Sequence, residues 1–373
     1  MGPRSARLRI DASGQLEIID PGLGEWVLLR AIDPDFQIRS ATLPGFESPR
    51  VLQSRQQRSG CRREDLAGGC TGDLWSLHDR LVAAQRRAYI PSSAGHPASV
   101  LDVKIELARR LLADCCLCAR RCGVNRWQGP RGVCQLGTEA RVAEAFIHIA
   151  EEAPINPSLV LNLSGCGLRC VYCQQTPLLD PLTLAGTKLT PALWSTLPAY
   201  PARSVSFVGG NPDENLYSIL RFLASMPDGW SLPIVWNSHA YSTRECIQLL
   251  KGVVDVYVPD FKYGNNACGQ RLSGIADYCD VARQTLQAMA AQQVPLIVRI
   301  LVLPGHTACC HKPALEFLTS LETPWLQVSI RDQYCPDGKI TAGNSPLSRR
   351  PESEEIHSVR QYALDLGLNL VDE

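Results

Sequence analysis

Three cysteines stand out for their chemistry: Cys166, Cys170 and Cys173, in the run Leu-Ser-Gly-Cys-Gly-Leu-Arg-Cys-Val-Tyr-Cys-Gln. The spacing C-x3-C-x2-C offers three soft thiolate donors from one short loop. A cubane 4Fe–4S cluster that only carries electrons normally has four protein ligands. Three ligands leave one iron open, much as a catalytic zinc keeps a position open for its substrate. An open iron can chelate the amino and carboxylate groups of S-adenosylmethionine (SAM). One electron passed to the sulfonium then breaks a carbon–sulfur bond and releases a 5′-deoxyadenosyl radical. The chain has 16 cysteines in 373 residues, a frequency at which chance yields this spacing with an expectation of only roughly 3%. A zinc knuckle or an inert reduced trio is the bland alternative.

A second cysteine set lies upstream, in Cys-Cys-Leu-Cys-Ala-Arg-Arg-Cys-Gly-Val-Asn-Arg-Trp-Gln-Gly-Pro-Arg-Gly-Val-Cys. Cys115, Cys118, Cys122 and Cys134 give C-x2-C-x3-C-x11-C, four ligands for one metal site, with Cys116 competing for the first position. Four thiolates suit structural zinc or a second iron–sulfur cluster equally by count. Glycines between the last two cysteines permit the tight turns of a metal-clasping loop. The remaining thiols read as bystanders. Cys61 and Cys70 match no known metal spacing, and in Cys309-Cys310-His311 the adjacent cysteines are poorly arranged to chelate one ion.

These residues need elements to place them. Six apolar runs recur at helix-length intervals: Leu159–Leu163, Ser204–Val208, Ile234–Trp236, Val253–Val258, Leu296–Leu303 and Leu326–Ile330. Apolar strands alternating with helices predict an α/β fold with a parallel sheet. Polar residues gather where the runs end. The first leads into the cysteine loop, the second into Gly209-Gly210-Asn211, the third into Asn237-Ser238-His239 and the fourth into Asp260-Phe261-Lys262. Arg299 lies within the fifth, which finishes at Pro304-Gly305-His306, and the sixth runs into Arg331-Asp332-Gln333-Tyr334. Such joint placement favours a site at the carboxyl ends of the strands. His239 and His306 read as loop histidines. Residues 1–60 show short alternating segments (Leu8–Ile10, Gln15–Ile19, Trp26–Leu29) that predict a small β appendage. A Gly- and Arg-rich linker is expected around Arg55–Gly69, followed by helices over 73–88 and 99–113.

The cysteine loop with its flanking motifs resembles the radical-SAM superfamily. More narrowly, the chain is similar to uncharacterised homologues of pyruvate formate-lyase activating enzyme. The matching stretches are Cys118–Cys134, Glu151-Glu152, Ser164–Gln174, Phe207–Pro212, Pro233–Ser238, Val254–Gly264, Val298–Gly305 and Gln333-Tyr334, covering about residues 115–340; residues 1–100 carry no recognised motif. The resemblance implies an open (βα)6 partial barrel, a shortened relative of the eight-unit barrel with its site at the strand carboxyl ends. It also implies Tyr172 against the adenine of SAM, and the Gly209-Gly210 backbone receiving the SAM amino group. Asn211 departs from the family pattern, which carries an acidic residue there, and Cys335 after Tyr334 is a second departure. For SAM's other groups, Lys262 or Arg299 could pair with the carboxylate. Asp260 would bind a cation near the sulfonium end or orient Lys262, while Asn237, Ser238 and Gln333 are candidates for the ribose.

Composition bounds the rest. Lysine plus arginine equals aspartate plus glutamate at 37 each, and 45% of residues are hydrophobic. A balanced charge argues against a nucleic-acid partner, and no apolar run has the length of a membrane span. The basic start lacks an apolar signal core, and Ala6 spoils a myristoylation site. Many cysteines without a secretory signal predict a reducing cytoplasm. The expected domains are an N-terminal appendage and linker (1–100), a Cys-rich metal module (101–150), the partial barrel (151–345) and a C-terminal helix and tail (346–373). The leading expectation is a radical-SAM enzyme that abstracts hydrogen, an oxidoreductase of activating-enzyme type. It would be served by an electron donor such as flavodoxin or ferredoxin and act on a protein, peptide or small molecule. The alternative is a non-catalytic iron–sulfur or zinc scaffold on the same fold.

Overall fold

The six apolar runs fold as parallel strands whose carboxyl ends all face one side. The computed structural model describes residues 7–10, 16–18, 50–84, 97–129, 132–179, 186–197, 202–227, 229–337, 340 and 345–371. In chain order the strands are β1 (Arg7–Ile10), β2 (Leu16–Ile18), β3 (Arg58–Arg62), β4 (Pro97–Ser99), β5 (Arg141–His148) and β6 (Ser158–Leu163). They continue with β7 (Thr187–Lys188), β8 (Ser204–Gly209), β9 (Ile234–Trp236), β10 (Val256–Tyr257), β11 (Leu296–Leu301) and β12 (Leu326–Arg331). The α-helices are α1 (Arg50–Gln56), α2 (Arg63–Gly68), α3 (Thr71–Ala84), α4 (Val100–Leu111), α5 (Leu216–Ala224), α6 (Arg244–Leu250), α7 (Asn266–Ser273), α8 (Tyr278–Ala290), α9 (Lys312–Leu318) and α10 (Ser353–Asp365).

The main sheet runs β12-β11-β10-β9-β8-β6-β5-β1-β2, with β7 on β5. Neighbours from β6 to β12 along that path pair in parallel, and β5 pairs antiparallel with β6. This is an open (βα)6 partial barrel of the kind expected. Every residue of β6 is buried, which is why the run reads as continuously apolar rather than alternating. The β12 edge is covered by the chain's own C-terminal segment, where Val328 N–H donates to Asn369 O (2.9 Å) and Val371 N–H to Val328 O (3.0 Å). Covering that edge removes a surface on which other chains could pair.

Helices are placed by their caps. A capping box between Ser99 and Asp102 starts α4, satisfying donors the first turn would leave bare. Asn265 caps α7 by accepting from Cys268 N–H (2.8 Å), and Gly274 ends it with φ +68°, a conformation cheap only for glycine.

Three readings change here. The expected linker around Arg55–Gly69 forms the end of α1, then β3 and α2, because Leu66 is buried and Arg110 of α4 donates to Leu66 O (3.1 Å) and Ala67 O (3.2 Å). The β appendage is continuous with the main sheet, since Arg7 and Leu8 of β1 pair with His148 and Ile147 of β5. The sequence reading also passed over β5, whose exposure roughly alternates. Trp26–Leu29 lies outside the described residues.

Candidate functional site

The loop after β6 carries Cys166, Cys170 and Cys173 and is fastened on all sides. Gly165 N–H donates to Leu178 O (2.6 Å) and Ser164 N–H to Arg141 O (3.0 Å). Arg169 N–H donates to Ser273 O (3.3 Å) and Val171 N–H to Leu272 O (2.8 Å), tying the loop to the end of α7. Gly209 (φ +101°) and Gly210 hold it from the other side. A Cβ on Gly209 would stand 2.4 Å from Leu163 N, and one on Gly210 2.2 Å from Gly165 O. The need for glycine therefore comes from the end of β6 at Gly209 and from the cysteine loop at Gly210.

A carboxylate not singled out in the sequence sits at the centre. Glu214, just beyond the glycine pair, accepts from Gly167 N–H (2.8 Å) and Asn211 Nδ2 (2.5 Å) and lies 3.4 Å from His239 Nε2. His239 Nδ1 accepts from Tyr241 N–H (3.2 Å), so its proton lies on Nε2, facing Glu214. Burial alone would raise the Glu214 carboxyl, yet the His239 ring and the Asn211 amide hold it below its ordinary value. Asn211 Oδ1 also accepts from His239 N–H (3.1 Å). The amide thus joins two strand ends, and the acidic group stands three residues later.

Cys166 is buried, and burial pushes its thiol well up, followed by the nearby charges of Glu214, Cys170 and Cys173. Cys170 and Cys173 are half-buried. Cys170 Sγ lies 2.9 Å from Ser273 Oγ, Ser273 Oγ 2.6 Å from Tyr263 Oη, and Tyr263 Oη 2.7 Å from Tyr172 Oη. Tyr172 is buried with its ring edge-on to Tyr334 (5.9 Å between centroids) and Tyr263 (6.5 Å).

The charged residues at the other strand ends are already paired. Arg299 donates through Nε and Nη2 to Glu152 (2.7 Å each) and also reaches Glu151. With its amide oriented to satisfy its neighbours, Asn237 accepts from Arg299 Nη1 (2.7 Å) and donates to Val258 O (3.2 Å). Burial works against the Arg299 charge, but Glu151 and Glu152 hold its pKa well above the ordinary value. Arg331 Nη1 lies 3.9 Å from Glu152, and Arg331 Nε donates to Gln333 Oε1 (3.1 Å). Lys262 Nζ is 2.7 Å from Asp260 Oδ2, and Ser238 is buried, its carbonyl accepting from Asp260 N–H (2.7 Å). Asn237, Arg299 and, through Arg331, Gln333 therefore meet in one network around Glu151 and Glu152, a pair marked in the sequence only by resemblance, while Asp260 pairs with Lys262.

The upstream cysteines pack against the back of the same loop. A Cβ on Gly167 would stand 3.3 Å from Cys118 Sγ, and Arg120 Nε donates to Gly167 O. Cys115, Cys118 and Cys134 are buried and Cys122 is exposed. Burial, then the charge of Glu214, pushes the Cys118 thiol well up; burial pushes the Cys134 thiol to about 11, with Arg126 partly offsetting it and Glu214 adding to it. Cys115 shares its surroundings with Cys118, Cys122 and Cys134, whereas Cys116 faces Glu245 and Arg121. Of the two candidates for the first position, Cys115 is the one that lies near the other three cysteines.

Both cysteine sets fit soft-metal groups. Each is a concentrated set of thiols, and burial at Cys115, Cys118, Cys134, Cys166 and Cys173 disfavours thiolate until a cation compensates it. Among the described residues, neither set brings three donors within 4.8 Å of one another. A multi-iron cluster needs a wider span than a single ion does, which suits the Cys166 loop.

No protein-family model matches the chain. Its sequence is 33% identical over 325 residues to "Uncharacterized protein MJ0674" of Methanocaldococcus jannaschii, covering 83% of this chain and 92% of that protein. The chain belongs to the MJ0674 family. Among solved structures, that of Streptococcus suis SuiB bound to precursor peptide SuiA aligns over 80% of this chain and 61% of that chain, with 11% identity and a TM-score of 0.43. The structure of SuiB bound to S-adenosylmethionine aligns over 56% of this chain, with 13% identity and a TM-score of 0.39. This chain spans about half the length of the SuiB chain there, 48%. Among the described residues of this MJ0674 relative, no helix is long and apolar enough to cross a membrane.

Proposed function

We infer that this member of the MJ0674 family is a radical-SAM enzyme. One observation carries the reading: a loop with three thiols leaves the carboxyl end of the first of six parallel strands and rests on the Gly209-Gly210 backbone. Cys166, Cys170 and Cys173 would hold a 4Fe–4S cluster with one open iron. When bound, such a cluster supplies the electron that cleaves SAM to a 5′-deoxyadenosyl radical for hydrogen abstraction.

The chain's own residues do the positioning. Glu214 and Arg120 fix Gly167 between the two cysteine sets. Ser273 offers its hydroxyl to the Cys170 sulfur. Lys262 remains a cation beside the loop because Asp260, then Tyr172, offset the cost of its burial. It is the better partner for a substrate carboxylate, because Arg299 already binds two glutamates. Tyr172, Asn237, Ser238 and Gln333 line the same end of the sheet. The Cys115–Cys118–Cys122–Cys134 module, holding zinc or a second cluster, buttresses the cysteine loop from behind. Within this reading the enzyme resembles activases that take hydrogen from a partner protein, with a flavodoxin or ferredoxin as reductant in the cytoplasm.

The test is anaerobic reconstitution with iron and sulfide, reduction by dithionite with SAM, and assay of 5′-deoxyadenosine. Product from the wild type and none from Cys170→Ala is the expected result. The saturated Arg299 and the amide at Asn211 favour a second reading, a non-catalytic metal scaffold. That reading requires the reconstituted protein to show no SAM binding at all.

A further inference from the structure

A third group of metal-binding side chains lies apart from the two cysteine sets. Cys268 comes from the first turn of α7, and His306 and Cys309 come from the loop and π-turn after β11. One ligand atom of each lies within 4.8 Å of the other two. The Cys268 and Cys309 sulfurs are 3.9 Å apart, and the Cys310 sulfur is 3.8 Å from that of Cys309. Tetrahedral zinc with Zn–S bonds of about 2.3 Å places its thiolates roughly 3.8 Å apart. A disulfide would need about 2.05 Å. The sulfurs therefore already stand at the spacing a single ion requires.

The histidine is prepared in the same sense. His306 Nδ1 lies 2.8 Å from Pro304 O. A carbonyl only accepts, so the proton is on Nδ1 and Nε2 keeps its lone pair, which faces Arg271 Nη2 at 3.3 Å. Ligating histidines almost always make this second hydrogen bond, which fixes tautomer and ring orientation. The turn itself is of the wide, rare type: His306 O accepts from both Cys310 N–H (2.9 Å) and His311 N–H (3.2 Å). Such turns occur disproportionately at functional sites. His311 points elsewhere, its Nε2 accepting from Leu303 N–H (3.1 Å).

The charge also balances. The Cys268 and Cys309 thiolates offset the two positive charges of a divalent ion, and Arg271 stands beside the same group. Its Nη2 lies 3.3 Å from Cys268 Sγ and 3.3 Å from His306 Nε2. Bound metal takes over the nitrogen lone pair, while the N–H···S contact remains as support for a ligated sulfur.

We propose that Cys268, His306 and Cys309 bind one divalent ion of the zinc class. The site is independent of the Cys166 loop and of the upstream module. It closes α7 against the β11 loop, five residues or roughly 7.5 Å of helix away from Ser273.

The test uses the full-length protein, purified anaerobically and loaded with Zn(II) alone. Zinc and iron per chain are measured for wild type, Cys268→Ser and Cys309→Ser. Each variant should lose one zinc equivalent while iron is unchanged; unchanged zinc in both would overturn the proposal. Cys309 is exposed, so Cys309→Ser keeps the test valid if Cys268→Ser fails to fold. A second readout needs no variant. Zinc should slow alkylation of Cys309 about tenfold or more relative to chelator-treated protein, since a ligated sulfur is not a free thiolate. Equal rates would sink the site. Cys134→Ser should retain that protection, and its loss there would sink the claim of independence.

Discussion

Ser273 Oγ lies 2.9 Å from Cys170 Sγ and closes a hydroxyl chain through Tyr263 and Tyr172. With Cys170 as a thiolate, which only accepts, all three hydroxyls orient toward the sulfur. Hydrogen bonds to cluster sulfurs favour the more negative, reduced state and so raise the potential. Under the proposed function, Ser273→Ala should lower the cluster's midpoint potential by on the order of 50 mV. A redox titration followed by electron paramagnetic resonance reads this directly. An unchanged potential in a fully loaded variant would mean that Ser273 only packs.

Gly210 faces a steric constraint of a different kind. Any Cβ there stands 2.2 Å from Gly165 O and 2.7 Å from Gly165 C, and backbone cannot swing aside as a side chain can. Gly210→Ala should displace the cysteine loop, at a cost of about 1–3 kcal/mol typical of overpacking. It should also reduce the iron taken up on reconstitution. Gly229→Ala is the control, because nothing lies within 4 Å of its Cβ position. Equal iron uptake in the two variants would contradict the steric argument.

Glu152 is fully buried and binds Arg299 through both oxygens. Glu152→Ala would strand a buried guanidinium, which costs roughly 3–5 kcal/mol. Replacing both residues, as Glu152→Leu with Arg299→Met, should recover much of that loss, because the pair's desolvation disappears with it. Urea unfolding of the two singles and the double gives the coupling. A double variant no more stable than the worse single would show that Glu151 and Arg331 carry the network instead.

The barrel was legible because its strands are buried on both faces. Ser204–Gly209 and Leu326–Arg331 differ by one residue from the apolar runs that announced them. The run Val253–Val258 pairs only at Val256 and Tyr257, since apolar burial extends past the ladder. The site was legible where chemistry is local, as in the cysteine loop. Glu214 gave no signal because it lies three residues past Asn211, the position next to the glycine pair, although the buried acid serves the same loop. The Cys268–His306–Cys309 group had no signal in spacing. Its members lie on α7 and on the loop and π-turn after β11, nearly forty residues apart, and only the fold brings them together.

Lys104 makes stability depend on pH. It is fully buried on α4, with Nζ 2.8 Å from His78 Nε2, and His78 Nδ1 is 2.9 Å from Asp79 Oδ1. Burial, then the charge of Lys251, lowers the Lys104 pKa to about 7, while Asp79 partly offsets this. Burial, then Lys104, lowers that of His78 to about 4. Both folded values lie below the unfolded ones, so between each pair of values the unfolded chain binds more protons and stability rises with pH. The windows run from about 4 to 6.5 for His78 and from about 7 to 10.5 for Lys104, with a slope of up to about 1.4 kcal/mol per pH unit. Lys104→Met removes the upper window. Urea midpoints at pH 7 and pH 9.5 should therefore rise for the wild type and stay nearly level for the variant. Below pH 7 the variant should be at least as stable as the wild type, because no ammonium is buried. Parallel pH profiles for the two proteins would show that Lys104 keeps its proton in the folded state.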